Sequence, residues 1–216
     1  MIDNLKLDCV QVNLYLKKYK RYFDLFLTPF ILLLFSPILI LTFLLLRVSS
    51  TEKVIYKQLR IGLNGNLFPC YKFRTMHNTN TVNEHITSID STTIKRGILN
   101  KQKDDKRITK IGSFLRQTSL DELPQLFNVL RGEMSLVGPR PLMPFMLKPY
   151  PEIMIARCNV MPGLTGLWQV KGRKKNTSVM DMIDFDLEYI KKANLIFDLS
   201  ILFLTIFAVL RRQGAY

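Results

Sequence analysis

The sequence predicts a predominantly α-helical α+β domain, held at a membrane by a helix that enters and leaves the same face. Three observations carry this prediction. An apolar block is interrupted by proline and flanked by basic residues at both ends, an Asn-Gly pair separates two β-prone runs, and several segments repeat apolar residues at helical spacing.

The block runs from Leu27 to Leu46 and is broken near its middle by Ser36-Pro37. Lys17, Lys18, Lys20 and Arg21 precede it, and Arg47, Lys53, Lys57 and Arg60 follow. Both flanks favour the cytoplasmic side, which a single span cannot satisfy. A helix bent at Pro37 satisfies both, with the Ser36 hydroxyl available for the hydrogen bond that proline disrupts. The alternative is an ordinary transmembrane helix with a proline kink, since about 20 apolar residues cross a bilayer core. A secretory signal peptide fits less well, because the block is too long and no small-residue cleavage site follows it.

After the block, Val54–Gln58 and Phe68–Phe73 read as strands of a hairpin turned at Asn64-Gly65. The polar stretch from His77 to Lys106 reads as a loop, and neither His77 nor His85 has a partner at metal-ligand spacing. Ile108–Leu115 is helical in pattern. Leu123, Leu126, Phe127 and Leu130 fall on one face of a second helix, closed by Gly132. Pro139-Arg140-Pro141 is a stiff extended segment, and Pro162-Gly163-Leu164-Thr165-Gly166 is turn-rich. Ser178 is placed to cap a helix with Val179, Ile183, Leu187 and Ile190 on one face. Leu199–Leu210 is too short to span and reads as a core or interfacial helix.

Composition narrows the partners. Lys and Arg number 31 against 17 Asp and Glu, a formal charge of +14, which calls for nucleic acid, anionic lipid or a phosphorylated substrate. With the membrane block present and no nucleic-acid-binding motif visible, nucleic acid is set aside. Cys9, Cys70 and Cys158 suggest neither a disulfide framework nor a metal cluster.

Asp121 and Glu122 are the candidate catalytic acids, at a helix start where the dipole and free N–H groups favour anions. Ser119-Leu120-Asp121-Glu122 also matches a capping box, and spacing by itself favours that structural reading. Nearby cations shift the balance: Arg116 lies five residues upstream, Arg140 is held between prolines, and Lys72 and Arg74 flank Phe73. Arginine forks onto phosphate oxygens, and a carboxylate with a divalent cation suits a reacting phosphoryl group.

Six ordered motifs extend this picture. They are Lys20-Arg21-Tyr22-Phe23-Asp24, Ser36-Pro37, Tyr71-Lys72-Phe73-Arg74-Thr75-Met76, the run from Ser119 to Val129, Gly138-Pro139-Arg140-Pro141, and Pro162–Gly166. In this order the chain resembles the bacterial sugar transferases, the small monotopic phosphoglycosyl transferases, from about Lys20 onward. The resemblance implies transfer of sugar 1-phosphate from a nucleotide sugar, usually a UDP-sugar, to undecaprenyl phosphate, releasing UMP and beginning capsule, exopolysaccharide or glycoprotein glycan assembly. It implies Asp121 as nucleophile, Glu122 with Asp121 at Mg²⁺, and a substrate-binding set of Lys72, Arg74, Arg116, Arg140, Arg157, Thr165 and Gln169. Arg21, Asp24, Ser36 and Pro37 belong to the membrane hairpin. Residues 1–20 become a cytoplasmic lead-in, 21–48 the re-entrant helix-break-helix, and 49–216 the catalytic domain on the cytoplasmic face of the inner membrane.

One departure stands out: Met161 occupies a place where members of this family often carry a basic residue, with Arg157 nearby to serve instead. Extra N-terminal helices of larger relatives are not seen, so the chain resembles the minimal catalytic form. Downstream glycosyltransferases are natural partners, while the sugar and the oligomeric state are not readable. Two rivals remain open. One is direct attack by the lipid phosphate without a covalent intermediate, and the other is a non-catalytic adaptor that binds anionic lipid through its basic face.

Overall fold

The computed structural model describes residues 12–77, 105, 107–147, 151–172 and 179–211. A short π-helical turn, Tyr15–Tyr19, runs into α1, Lys20–Ser49. The hairpin follows as β1, Ile55–Ile61, and β2, Leu67–Phe73. Then come α2 (Lys110–Gln117), a 3₁₀ turn at Leu120–Glu122, α3 (Gln125–Arg131) and β3 (Ser135–Val137). The chain continues through α4 (Pro144–Leu147), α5 (Pro151–Cys158), β4 (Gly163–Thr165), a π turn at Trp168–Gly172, α6 (Val179–Lys192) and α7 (Leu195–Leu210).

The apolar block is the 30-residue α1, helical through both Pro29 and Pro37. The expected break is therefore no interruption of the helix. Pro37 has no N–H for the Leu33 carbonyl four residues back, and Ser36 Oγ donates to that carbonyl at 2.8 Å. Together with the preceding turn, Tyr15–Ser49 is long and apolar enough to cross a membrane by length and composition. One stripe of α1 meets the domain, with Lys20, Asp24, Thr28, Thr42 and Leu46 buried. The opposite side is open hydrocarbon; Leu33 and Leu34 are each 74% exposed. An apolar face of that extent marks contact with lipid or another apolar surface.

Polar groups weld α1 to the domain. Arg21 donates to the carbonyls of Val129 at 2.5 Å and Leu130 at 2.9 Å, capping the C-terminal end of α3, where carbonyls lack helical partners. Asp24 Oδ1 accepts from the Leu136 amide of β3 at 3.0 Å. Lys20 Nζ reaches Asp198 Oδ2 at 2.5 Å, and the same carboxylate accepts from Tyr15 at 2.6 Å and Tyr189 at 2.8 Å. Asp198 thus joins the start of α1 to α6 and α7.

The hairpin has the expected turn. Its antiparallel register runs from Ile55 opposite Phe73 to Ile61 opposite Leu67. Asn64 and Gly65 both have positive φ, 55° and 78°, a conformation in which asparagine and glycine are the least strained residues. Gly132, at φ 79°, ends α3 as expected.

Other expectations are corrected. The buried face of α3 is Gln125, Leu126, Asn128 and Val129, while Phe127 is exposed, so the stripe that includes Phe127 is displaced around the helix. Asn128 is the cause: its side chain donates to the Pro69 carbonyl at 2.8 Å and accepts from the Tyr71 amide at 3.0 Å, fastening α3 to β2. The turn-rich segment from Pro162 contains β4, paired parallel to β3 with Ser135 opposite Gly163 and Val137 opposite Thr165. Glycine is required for close approach here, since a Cβ on Gly138 would lie 2.6 Å from the Met161 carbonyl oxygen.

α6 buries Ile183, Leu187 and Ile190 as its spacing predicts; its expected cap, Ser178, lies outside the described residues. So does the polar stretch between His77 and Lys106, except for Asp105. α7 begins at Leu195, four residues before the expected apolar run, because Asn194 Oδ1 caps it by accepting from the Phe197 amide at 2.9 Å. It buries Asp198 and Ile201 and exposes Ile196, Phe203, Ile206 and Leu210, which suits an interfacial helix.

Candidate active site

The acid pair does not sit in a capping box. Ser119 is left-handed, with φ 57°, and its side chain makes no capping hydrogen bond. Leu120–Glu122 form a 3₁₀ turn ahead of α3, and this turn aims the two acids differently. Glu122 is partly exposed and its Oε1 lies 2.7 Å from Lys72 Nζ and 3.5 Å from Arg140 Nη2. Asp121 is only 9% exposed. Burial, and then repulsion from Glu122, push its carboxyl up to about 6, against the pull of Lys72, Arg116 and Arg140.

Four cations surround this pair. Lys72 comes from β2, opposite Tyr56. Arg116, at the end of α2, donates to Thr75 Oγ1 at 2.9 Å and is close enough to Asp121 to favour its charge. Arg140 comes from the proline segment, and its guanidinium lies 5.8 Å from the Trp168 ring centre. The fourth, Arg60, was not among the sequence candidates. It donates to the Pro141 carbonyl at 3.1 Å and to Gln58 at 2.6 Å, and burial followed by the charge of Arg140 lowers it to about 10.

The remaining candidates have other settings. Arg74 pairs with Glu52 at 3.0 Å, donates to the Lys53 carbonyl at 2.7 Å and lies over the Tyr56 ring. Arg157 is buried, with Nε 2.7 Å from Asp186 Oδ2 and Nη2 on the Arg140 carbonyl. Thr165 shares a hydrogen bond with Thr205 of α7 at 2.7 Å. Gln169 follows Trp168 in the π turn, and its amide nitrogen and oxygen are both enclosed without a hydrogen-bond partner. Arg60, Trp168, Asp186 and Asp198 carry no local motif; only their distant partners reveal them.

Two adjacent carboxylates, one raised by burial and then by the other's charge, fit Mg²⁺, which takes hard oxygen donors and commonly shares one or two protein carboxylates with substrate phosphates. Among the described residues no group of three or more metal-ligating side chains occurs. A cation here would therefore be completed by substrate oxygens and water. The cations around the acids give the site a second property, a fixed field for a diphosphate.

Comparison with known proteins bears on this arrangement. The description of the bacterial sugar transferase family matches residues 15–212. The chain is 45% identical over 202 residues to the undecaprenyl-phosphate galactose phosphotransferase of Salmonella typhimurium, covering 91% of this chain and 41% of that protein. It is 42% identical over 199 residues to the exopolysaccharide production protein ExoY of Rhizobium meliloti, covering 91% and 88%. Against the UDP-glucose:undecaprenyl-phosphate glucose-1-phosphate transferase of Escherichia coli it is 39% identical over 204 residues, covering 91% and 41%. The chain thus spans about two-fifths of the Salmonella and Escherichia proteins and most of the Rhizobium one.

Proposed function

The chain belongs to the bacterial sugar transferase family, and on that footing we propose that it transfers sugar 1-phosphate from a UDP-sugar to undecaprenyl phosphate, releasing UMP, for exopolysaccharide or capsule assembly. The observation that supports this best is the buried Asp121 beside Glu122, within a ring of Lys72, Arg60, Arg116 and Arg140. An acid pair built only to cap a helix needs no such ring. The adaptor reading needs the acid pair to be a helix cap, and Ser119 makes no capping hydrogen bond.

The reaction has two in-line steps. Ionised Asp121 attacks the phosphorus that carries the sugar; an oxygen–phosphorus bond forms, the bond to the bridging oxygen breaks, and UMP leaves with that oxygen. An oxygen of undecaprenyl phosphate then attacks the same phosphorus, forming the lipid diphosphate sugar and returning the Asp121 carboxylate. Division into two displacements lets one site handle two bulky phosphates in turn. Arg140 and Arg116 hold the diphosphate oxygens, and Lys72 keeps Glu122 turned toward the site. Mg²⁺ held by Glu122 and Asp121 would offset the repulsion between carboxylate and diphosphate.

In this reading residues 1–20 are the lead-in, 21–48 the re-entrant segment and 49–216 the catalytic domain on the cytoplasmic face of the inner membrane. The basic flanks of α1 and its exposed apolar side support this placement. It brings the acid pair to headgroup level, where a lipid phosphate lies. Cysteines near positions 5 and 55, in a background without Cys9, Cys70 and Cys158, should both react only with reagent on the cytoplasmic side. Opposite-side labelling would sink the re-entrant form. The activity is tested by screening UDP-sugars for UMP release. Release that needs both Mg²⁺ and polyprenol phosphate for sustained turnover is expected, and no release with any UDP-sugar would refute the transferase reading.

A further inference from the structure

We propose that the buried Arg157–Asp186 pair is a positioning device for Arg140, fixing the backbone of Pro139-Arg140-Pro141 so that the guanidinium stays between Trp168 and Glu122. Proline contributes no N–H, so this tripeptide offers one amide donor and three carbonyls to the rest of the fold. All three carbonyls are taken. Gly163 donates to Pro139 O at 2.8 Å, Arg157 Nη2 donates to Arg140 O, and Arg60 Nη1 donates to Pro141 O at 3.1 Å. Burial pushes the Asp186 carboxyl up, and Arg157 and then the lone amide of the tripeptide, that of Arg140, pull it back. Asp186 Oδ1 itself makes no hydrogen bond.

Arg157 and Asp186 are 2% and 1% exposed, 2.7 Å apart, and belong to α5 and α6. An ion pair so enclosed contributes little net stability, because desolvation offsets its attraction. Its geometry is what distinguishes it: one planar guanidinium bonds Asp186 through Nε and the Arg140 carbonyl through Nη2. A lysine at 157 would retain the charge but not this fork. The role rests on the transferase reading, in which Arg140 meets the diphosphate.

The test uses the full chain in detergent, with UDP-sugar kinetics and emission from Trp168, the sole tryptophan. Asp186→Asn strands a buried guanidinium and risks unfolding, so Arg157→Lys is the deciding variant, with thermal melting to confirm its fold. Arg157→Lys is expected to lower kcat/KM about 10- to 100-fold, the scale of a lost hydrogen bond to a charged group, and to shift Trp168 emission as Arg140→Ala does. Added to Arg140→Ala, it is expected to cause less than about a 2-fold further loss and no further spectral change, because both act through one guanidinium. A loss of equal factor in both backgrounds, or wild-type kcat/KM in folded Arg157→Lys, would overturn the positioning role. Wild-type UMP release separates the two levels. Its absence refutes the transferase reading, whereas its presence with additive variants refutes only the positioning role.

Discussion

Charged groups are used in opposite ways at the two ends of this molecule. Where α1 meets α7, Lys20 and Asp198 are sealed from solvent, 2.5 Å apart, and the Asp198 carboxylate also accepts from the hydroxyls of Tyr15 and Tyr189. At the acid pair, Glu122 shares its carboxylate between Lys72 and Arg140 with both cations and the acid still partly exposed. The sealed pair fixes the long apolar helix α1 against the domain. The open pair leaves its two cations partly exposed, where a phosphate can reach them. Exposure, not charge count, separates architecture from chemistry here.

The largest difference between the ends should appear on mutation. Asp121→Asn keeps shape but removes the proposed nucleophile and is expected to cut turnover at least about 10³-fold. The same change should stabilise the fold. The carboxyl of Asp121 stands at about 6 in the folded protein against 3.8 ordinarily. Its favourable contribution is thus complete below 3.8 and is lost as pH rises through about 6. Removing the charge at pH 7 is worth up to about 3 kcal/mol, readable as a raised melting temperature, most evident without Mg²⁺. Activity of the wild-type protein should fall as pH drops below about 6.

Asp198→Ala should do the reverse, leaving Lys20 buried without its partner. A loss of about 3–5 kcal/mol is expected by denaturant titration, with the catalytic groups themselves untouched. Arg140→Lys should fall between, losing about 10- to 100-fold in kcat/KM because an ammonium cannot fork onto phosphate. Its stability should stay within about 1 kcal/mol of wild type, as a partly exposed pair contributes little. The smallest effect is expected for Ser36→Ala, which frees the Leu33 carbonyl beside Pro37 at a cost of about 1 kcal/mol.

The same comparison explains what could be read from the chain alone. The hairpin was legible because Asn64 and Gly65 carry their backbone preference locally, and the serine rescue of Pro37 lies one residue from the proline. The acid pair and three of its cations were legible as motifs. The capping box was a local signal that tertiary structure overrode, since Ser119 adopts a left-handed turn and Glu122 turns to Lys72. Asp198, Asp186 and Arg60 were not legible, because each takes its meaning from partners 178, 29 and 81 residues away. Strands of three residues, β3 and β4, are too short to show an alternating pattern.

The central claim, that Asp121 carries the phosphosugar between donor and lipid, is tested most directly by single-turnover trapping. Protein is mixed with UDP-sugar labelled in the sugar, without polyprenol phosphate, quenched and digested. A burst of UMP close to the amount of enzyme is expected, with label on the peptide containing Asp121, discharge of that label on adding polyprenol phosphate, and none of these in Asp121→Asn. Release of UMP only when the lipid is present, with no label on the protein, would contradict it and give the reaction to direct attack by the lipid phosphate.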